Sequence, residues 1–365
     1  MGHNILITGG SGYLGGTLLA RWKEAKLTGY EKLFALVRKP DQAEAVKRYG
    51  CEPLTFDMDD AEAVKDAIAT HSITIVFFLV DAFKSGKQVN FIKALAEVKK
   101  NTGKDVHFLH TTGAKMFSSL AGAPTDKPWL DSDTNIFEIH KSQKAPPATQ
   151  VMQIPVQTNI TITEEGDEYG VKTYILAPCI VYGKGEGFGN IISIQTVDVV
   201  TAAKALGQVY KLRDDRPVGT YPPRTLVVLT IQDMAGMPCE RSHGSVCCRE
   251  ILEGRDIDSG KDGFYLASSG LVVWDDLYDA MAKALVKQSV VKDASVKLAS
   301  REERSQIAKA LGVPEERVEF NFSGRCTYTA ARGKKYGWTP QYEPQHILED
   351  AENEVDLILQ NLKGK

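Results

Sequence analysis

Gly9, Gly10, Gly12 and Gly15 fall within one short run, Ile5-Leu6-Ile7-Thr8-Gly9-Gly10-Ser11-Gly12-Tyr13-Leu14-Gly15-Gly16. Gly10, Gly12 and Gly15 fit G-x-G-x-x-G. Gly9, Gly12 and Gly15 fit the related spacing G-x-x-G-x-x-G. Glycine at these positions permits a tight turn, lets a pyrophosphate approach the backbone, and lets a helix pack closely on a strand. The helix that follows offers free N–H groups and the positive end of its dipole to an anion. A second chemical position lies at Leu36-Val37-Arg38-Lys39, where no Asp or Glu appears until Asp41. A ribose 2′-hydroxyl asks for a carboxylate at such a strand end, whereas a 2′-phosphate asks for cations. Arg38 presents a planar fork matched to phosphate oxygens. The alternative is an ordinary solvated arginine. This reading favours NADP over NAD.

These residues need a strand, a turn and a helix in that order. Ile5 to Ile7 is a short apolar run that reads as a buried strand. Leu14, Leu18, Trp22 and Ala25 then recur at helical spacing. Further strands are expected at Lys32–Val37, Glu52–Phe56, Ile73–Val80, Val106–His110 and Val171–Leu176, with Ile73–Val80 a continuous apolar, β-branched run. Helices are expected between them at Ala43–Tyr49, Ala61–Ala69 and Val89–Lys100. Strands alternating with helices of this length imply a parallel sheet with right-handed crossovers. The second half is less regular, with helices expected at Ile191–Leu206, Trp274–Val286, Arg301–Leu311 and Ile347–Leu362 and a strand at Gly263–Ala267. Residues 217–248 hold Pro222-Pro223 and three of the six cysteines and show no clear period. They read either as a surface loop or lid, or as a segment foreign to the mature protein.

The chain of 365 residues is long enough for two domains, or for one domain with a lobe. A net charge of −3 gives no electrostatic reason to expect nucleic acid or an anionic membrane. No apolar run is long enough to span a bilayer, and no signal-peptide pattern precedes the first strand. Cys51, Cys179, Cys239, Cys247, Cys248 and Cys326 show no C-x-x-C pairing. Free thiols in a reducing, cytoplasmic compartment and no metal site are the expectation.

Gly9 to Gly16, Asp57-Met58, Thr111-Thr112-Gly113, Pro178 to Gly185 and Tyr336-Gly337-Trp338-Thr339-Pro340 together resemble the extended short-chain dehydrogenase/reductase family. The chain is similar to fungal epimerase/dehydratase-like proteins of that superfamily and shares features with its NmrA-like branch. The resemblance implies an α/β Rossmann fold, a doubly wound parallel sheet over residues 1–182. A smaller, partly interleaved C-terminal substrate lobe would occupy 183–365. It implies that Gly9, Gly12, Tyr13, Leu14 and Gly15 hold the pyrophosphate. Asp57 and Met58 would contact the adenine, although Asp57 suits a helix cap or turn equally well. Pro178, Ile180 and Val181 would lie beside the nicotinamide carboxamide.

The family's catalytic pair is Tyr-x-x-x-Lys on the helix after the fifth strand, assisted by a Ser or Thr. Residues four apart share a helix face, and the lysine's charge favours the phenolate. The matching run is Asn135-Ile136-Phe137-Glu138-Ile139-His140-Lys141. Lys141 is present, Phe137 stands at the tyrosine position, and Thr112 matches the Ser/Thr. Lys141 would serve both the cofactor and catalysis. Lys115 or Lys141 is an alternative acid, and Tyr182 a residue near the cleft. The function implied is an NAD(P)-dependent oxidoreductase or epimerase-like protein acting on a small carbonyl or alcohol. The alternative is a weakly catalytic NADP-binding sensor of NmrA-like type. The expected partners are a small-molecule substrate and a second copy of the chain in a homodimer.

Overall fold

The computed structural model describes residues 2–213, 225–230 and 243–362. In chain order the strands are β1 (His3–Ile7), β2 (Tyr30–Leu36), β3 (Glu52–Leu54), β4 (Ile75–Phe78), β5 (His107–Thr111), β6 (Trp129–Leu130), β7 (Lys172–Pro178), β8 (Ile180–Tyr182), β9 (Val209–Lys211), β10 (Thr225–Thr230), β11 (Phe264–Ala267), β12 (Gly270–Val273), β13 (Val296–Leu298) and β14 (Tyr328–Thr329). Seven of them form one sheet in the order β11-β7-β5-β4-β1-β2-β3, every neighbouring pair parallel. The order reverses between β1 and β4. In sheets of this kind the crevice at that reversal, outside the carboxyl ends of the strands, is where ligands bind.

Helices α1 (Tyr13–Arg21), α2 (Pro40–Lys47), α3 (Ala61–Thr70), α4 (Gly86–Thr102), α5 (Ile136–Ser142), α6 (Gln153–Tyr169), α7 (Gln195–Leu206) and α8 (His243–Leu252) follow in turn. On one face of the sheet Leu18, Trp22, Cys248 and Ile251 pack on Ile5, Ile7 and Tyr174. On the other, Phe91, Leu95 and Ile160 pack on Phe78 and Phe108. Strands clothed on both faces are continuous apolar runs for that reason.

The second half contributes β11 to the edge of the main sheet, so the lobe is interleaved with it. The rest of the lobe has its own core, built on Tyr182, Val200, Trp274, Tyr278 and Ile358. The regular structure within 217–248 corrects part of the expectation. Residues 225–230 form β10 between β8 and β12, and 243–248 open α8, with Cys247 and Cys248 buried. The remainder of that segment, Cys239 included, lies outside the described residues. Among the described residues no disulfide joins the five cysteines, and no helix is long and apolar enough to cross a membrane.

Candidate functional site

The end of β1 is fastened to the end of β4. The Thr8 hydroxyl donates to the Phe77 carbonyl at 3.2 Å and accepts the Leu79 amide at 3.0 Å. Gly9 then turns at φ +72°, a region open to glycine. The Gly12 amide donates to the Gly9 carbonyl at 2.8 Å and closes the turn. A Cβ on Gly15 would lie 2.4 Å from that carbonyl oxygen, so the turn and α1 meet at a distance only glycine allows. No side chain caps the start of α1 and no acid stands in its first turn, which leaves its amides free.

Beside this turn is a groove of about 620 Å³ over the ends of β1, β2, β3 and β4. Gly9, Ser11 and Gly12 form one end; Leu36 to Arg38, Gln42, Thr55 to Asp59, Leu79, Val80 and Lys87 form the rest. Arg38 is exposed, and its backbone amide donates to the Gln42 side chain at 3.0 Å. Its guanidinium has no ion-pair partner among the described residues. Asp57 lies in the groove and also closes a turn, its carboxylate accepting the Asp59 amide at 2.9 Å. The cap of α3 is Asp60 instead. Lys87 reaches Asp59 at 3.3 Å. Met58 lines the groove while its carbonyl takes a hydrogen bond from Asn90.

Other expected residues are placed differently. The Tyr13 ring is buried, and its hydroxyl donates to the Gly183 carbonyl at 2.6 Å, so the side chain belongs to the contact with segment 183–190. Leu14 packs against the main core. Ile180 packs into the lobe core and Val181 into the sheet core. Thr112 and Pro178 stand side by side at the ends of β5 and β7. The Thr112 amide bonds the Leu176 carbonyl at 2.9 Å, and a Cβ on Gly113 would sit 4.0 Å from the Pro178 carbonyl. The Thr112 hydroxyl oxygen is buried with no partner among the described residues.

The structure does not bring Phe137 and Lys141 to this edge. Phe137 is 1% exposed, packed against Phe264 at the start of β11, with the Lys141 and Lys261 ammonium groups 5.7 and 5.5 Å from its ring. Lys141 is exposed and paired with Glu164 of α6 at 2.5 Å, a bond that raises its pKa. His140 is buried and locally bonded to Gln143 and Asn159, and burial pushes its pKa down to about 4. The Tyr182 hydroxyl is within 2.9 Å of the His346 Nδ1.

Lys115 stands in the turn directly after β5 (Ala114–Phe117) and is buried where the sheet meets the lobe. Its Nζ donates to the Ser323 carbonyl and lies 5.1 and 5.6 Å from the rings of Trp274 and Phe320. Burial pushes its pKa down to about 7, against the opposing pull of Cys326, Asp198 and Glu319. Asp198, in the first turn of α7, is pushed up to about 6 by burial and accepts a hydrogen bond from Asn321 at 2.6 Å. Sequence reading missed Asp198; its signal is a lone carboxylate inside the apolar helical run Val197 to Ala203. No group of three His, Cys, Asp or Glu side chains among the described residues is arranged to hold a metal.

A parallel sheet with an order reversal, a glycine turn at the reversal and a groove beside it define a Rossmann-type nucleotide-binding protein. The chain belongs to the NAD dependent epimerase/dehydratase family, whose sequence model matches residues 5–216. Among solved structures it is similar to UDP-glucose 4-epimerase with UDP-glucose from Thermotoga maritima, at 14% identity and TM-score 0.59, covering 98% of this chain and 99% of that one. It is also similar to dTDP-glucose 4,6-dehydratase from Bacillus anthracis in complex with NAD, at 10% identity and TM-score 0.61, covering 98% and 97%. A monomeric L-threonine 3-dehydrogenase from a metagenome gives 14% identity and TM-score 0.56, covering 97% and 99%. At these identities the likeness is one of fold. No curated protein matches the chain by sequence. The resemblance to extended short-chain dehydrogenases/reductases is borne out by the family and the fold together.

Proposed function

We propose that this chain is an NADP(H)-dependent oxidoreductase acting on a small carbonyl or alcohol. The observation that carries the reading is the groove itself: a glycine turn closed to any side chain at one end, and at the other a free Arg38 with no carboxylate at the end of β2. The residues fit the cofactor. The turn at Gly9, Gly12 and Gly15, with the amides of Tyr13 and Leu14, would hold the pyrophosphate. Arg38 would pair with the 2′-phosphate, and Asp57 and Met58 would flank the adenine. Thr112 supplies an unpartnered hydroxyl at the end of β5, the next strand along the crevice. When bound, the reduced nicotinamide supplies a hydride. The chain's own task is to orient the substrate and exchange a proton with its oxygen.

Calorimetric titration with NADPH and NADH tests this. Tighter binding of NADPH is expected, with the gap narrowed in Arg38→Ala. Equal affinity removes the Arg38 assignment, and no binding of either removes the reading. A second reading, an NADP-binding sensor, is favoured by one observation: no tyrosine precedes a lysine by four anywhere in the sequence. Tight NADPH binding without turnover across a carbonyl panel selects it.

A further inference from the structure

The glycine turn is gripped from two sides. On one side the Thr8 hydroxyl ties it to the end of β4. On the other lies segment 183–190, which follows β8. Its sequence, Gly183-Lys184-Gly185-Glu186-Gly187-Phe188-Gly189-Asn190, carries glycine at every second position. At three of these glycines a side chain has no room. A Cβ would lie 2.9 Å from the Tyr13 ring at Gly185, 2.4 Å from the Gly16 Cα at Gly187 and 2.1 Å from the Ser11 carbonyl oxygen at Gly189. The segment therefore lies as a strap, backbone against backbone, on the turn and on the first residues of α1. We propose that strap 183–190 is a positioning element, which sets the backbone of Ser11 to Tyr13 for the dinucleotide's phosphates; the inference rests on the cofactor reading above.

The strap is fastened along its length. The Asn190 amide donates to the Ser11 carbonyl at 2.9 Å. The Gly185 amide donates to the Ile191 carbonyl at 2.9 Å and closes the strap into a loop. The Glu186 amide donates to the Thr17 hydroxyl at 3.1 Å, and that hydroxyl donates to the Tyr13 carbonyl at 2.9 Å. The Glu186 carboxylate pairs with Arg21 at the end of α1. Beyond Gly183 the strap is anchored in the lobe. The Gly183 carbonyl accepts the Tyr13 hydroxyl, and its amide donates at 2.9 Å to Glu354, a buried carboxylate of the helix Ala351–Leu362. The other oxygen of Glu354 accepts the Thr196 hydroxyl of α7 at 2.7 Å. Backbone amides that converge on one anion repel one another until the anion arrives, and a glycine run loses the most conformational freedom when it is ordered. A turn already held on both sides meets that cost on folding, not on binding. Ser11 and Gly12 line the groove, so a shift at the Ser11 carbonyl reaches the phosphates directly. Arg38, Asp57 and Met58, at the other end, are held by Gln42, Asp59 and Asn90 instead.

The test compares two probes by calorimetry on the full chain. NADPH needs the glycine turn, whereas adenosine 2′-phosphate carries the adenine and the 2′-phosphate but no pyrophosphate. Gly189→Ala pushes a methyl group at the Ser11 carbonyl. It is expected to weaken NADPH at least about tenfold and adenosine 2′-phosphate by less than about twofold. Thr17→Ala removes the hydroxyl that joins Glu186 to Tyr13, and gives the same comparison should Gly189→Ala misfold. It should weaken NADPH selectively, and Thr17→Ser, which keeps the hydroxyl, should restore it. Wild-type affinity for NADPH in the folded variants overturns the inference. So does an equal loss of both probes, because the strap would then support the fold as a whole and not the phosphate site. A wild type that binds neither probe overturns the cofactor reading, and this inference with it.

Discussion

Replacing Lys115 by methionine should stabilise the protein at neutral pH. A lysine whose pKa moves from an ordinary 10.5 to about 7 on folding carries a charge that the interior disfavours. At 1.36 kcal/mol per pH unit the full penalty is about 5 kcal/mol. Methionine has a similar length and no charge to bury. Against this gain, the Ser323 carbonyl loses its donor, about 1–3 kcal/mol. The rings of Trp274 and Phe320 lose a cation, about 1 kcal/mol. The net expectation is a gain of about 1–3 kcal/mol. The sign with pH follows from proton counts. Between about 7 and 10.5 the unfolded chain holds the Lys115 proton more often than the folded one, so wild-type stability rises with pH through that window. The variant lacks this rise. Urea unfolding should therefore show the variant ahead by about 1–3 kcal/mol at about pH 6 and level with or behind wild type at about pH 9.5, where wild type has gained about 3 kcal/mol. A variant no more stable than wild type at the lower pH, with no narrowing at the higher, refutes the burial argument.

Three further perturbations probe the frame. Gly15→Ala places a Cβ 2.4 Å from the Gly9 carbonyl and should abolish NADPH binding in fluorescence titration of the folded variant; normal binding would put the phosphates elsewhere. Phe137→Tyr buries a hydroxyl beside Phe264, so denaturant unfolding should show a loss of about 1–3 kcal/mol and a carbonyl panel no gain in turnover. A gain in turnover would return Phe137 to the reacting site. Arg332→Ala removes a buried guanidinium that pairs with Asp258 at 2.9 Å and donates to the Asp131 and Phe264 carbonyls, a loss of about 3–5 kcal/mol, and an unchanged melting temperature would contradict it.

β1, β2 and β4 were legible because each carries an apolar run, and β1, the glycine turn and α1 carry a signature that depends on neighbours in sequence alone. The helix α6 was not. Its sequence, Gln153 to Tyr169, holds Ile154, Val156, Thr158, Ile160, Thr161, Ile162 and Thr163, a β-branched set, with Pro155 in the first turn and Gly166 within. Local preference argues against a helix there. Packing overrides it: α6 lies on β7 so closely that a Cβ on Gly166 would stand 2.3 Å from the Thr173 methyl carbon. The family's Tyr-x-x-x-Lys pair was matched to Phe137 and Lys141 after β5, and the exposure of Lys141 and its pairing with Glu164 do not support that role. β11 was recognised as a strand, but its place in the main sheet depends on a partner 89 residues earlier, Ile175 beside Phe264.

The residues at the end of β5 break local rules in a way that only the assembled sheet exposes. Phe108, His110 and Thr112 share one face of that strand by its period of two. Both His110 ring nitrogens and the Thr112 hydroxyl are buried without partners among the described residues, as is the Gln88 side-chain oxygen from α4. Burial holds His110 neutral, its pKa well below the ordinary value. A core selected for stability alone has no use for such groups, since each unpaired polar atom costs about 1–3 kcal/mol. Lys115 adds a buried ammonium to the same strand end. In sequence Thr112 is the match to the family's Ser/Thr and Lys115 an alternative acid. In the fold they are the polar groups that the lobe shuts over the carboxyl end of β5, beside the strand whose end already forms the groove wall. On the β5 side that cost falls on His110 and Thr112, whereas Phe137 of α5 is packed against Phe264 and Lys141 is exposed and paired with Glu164.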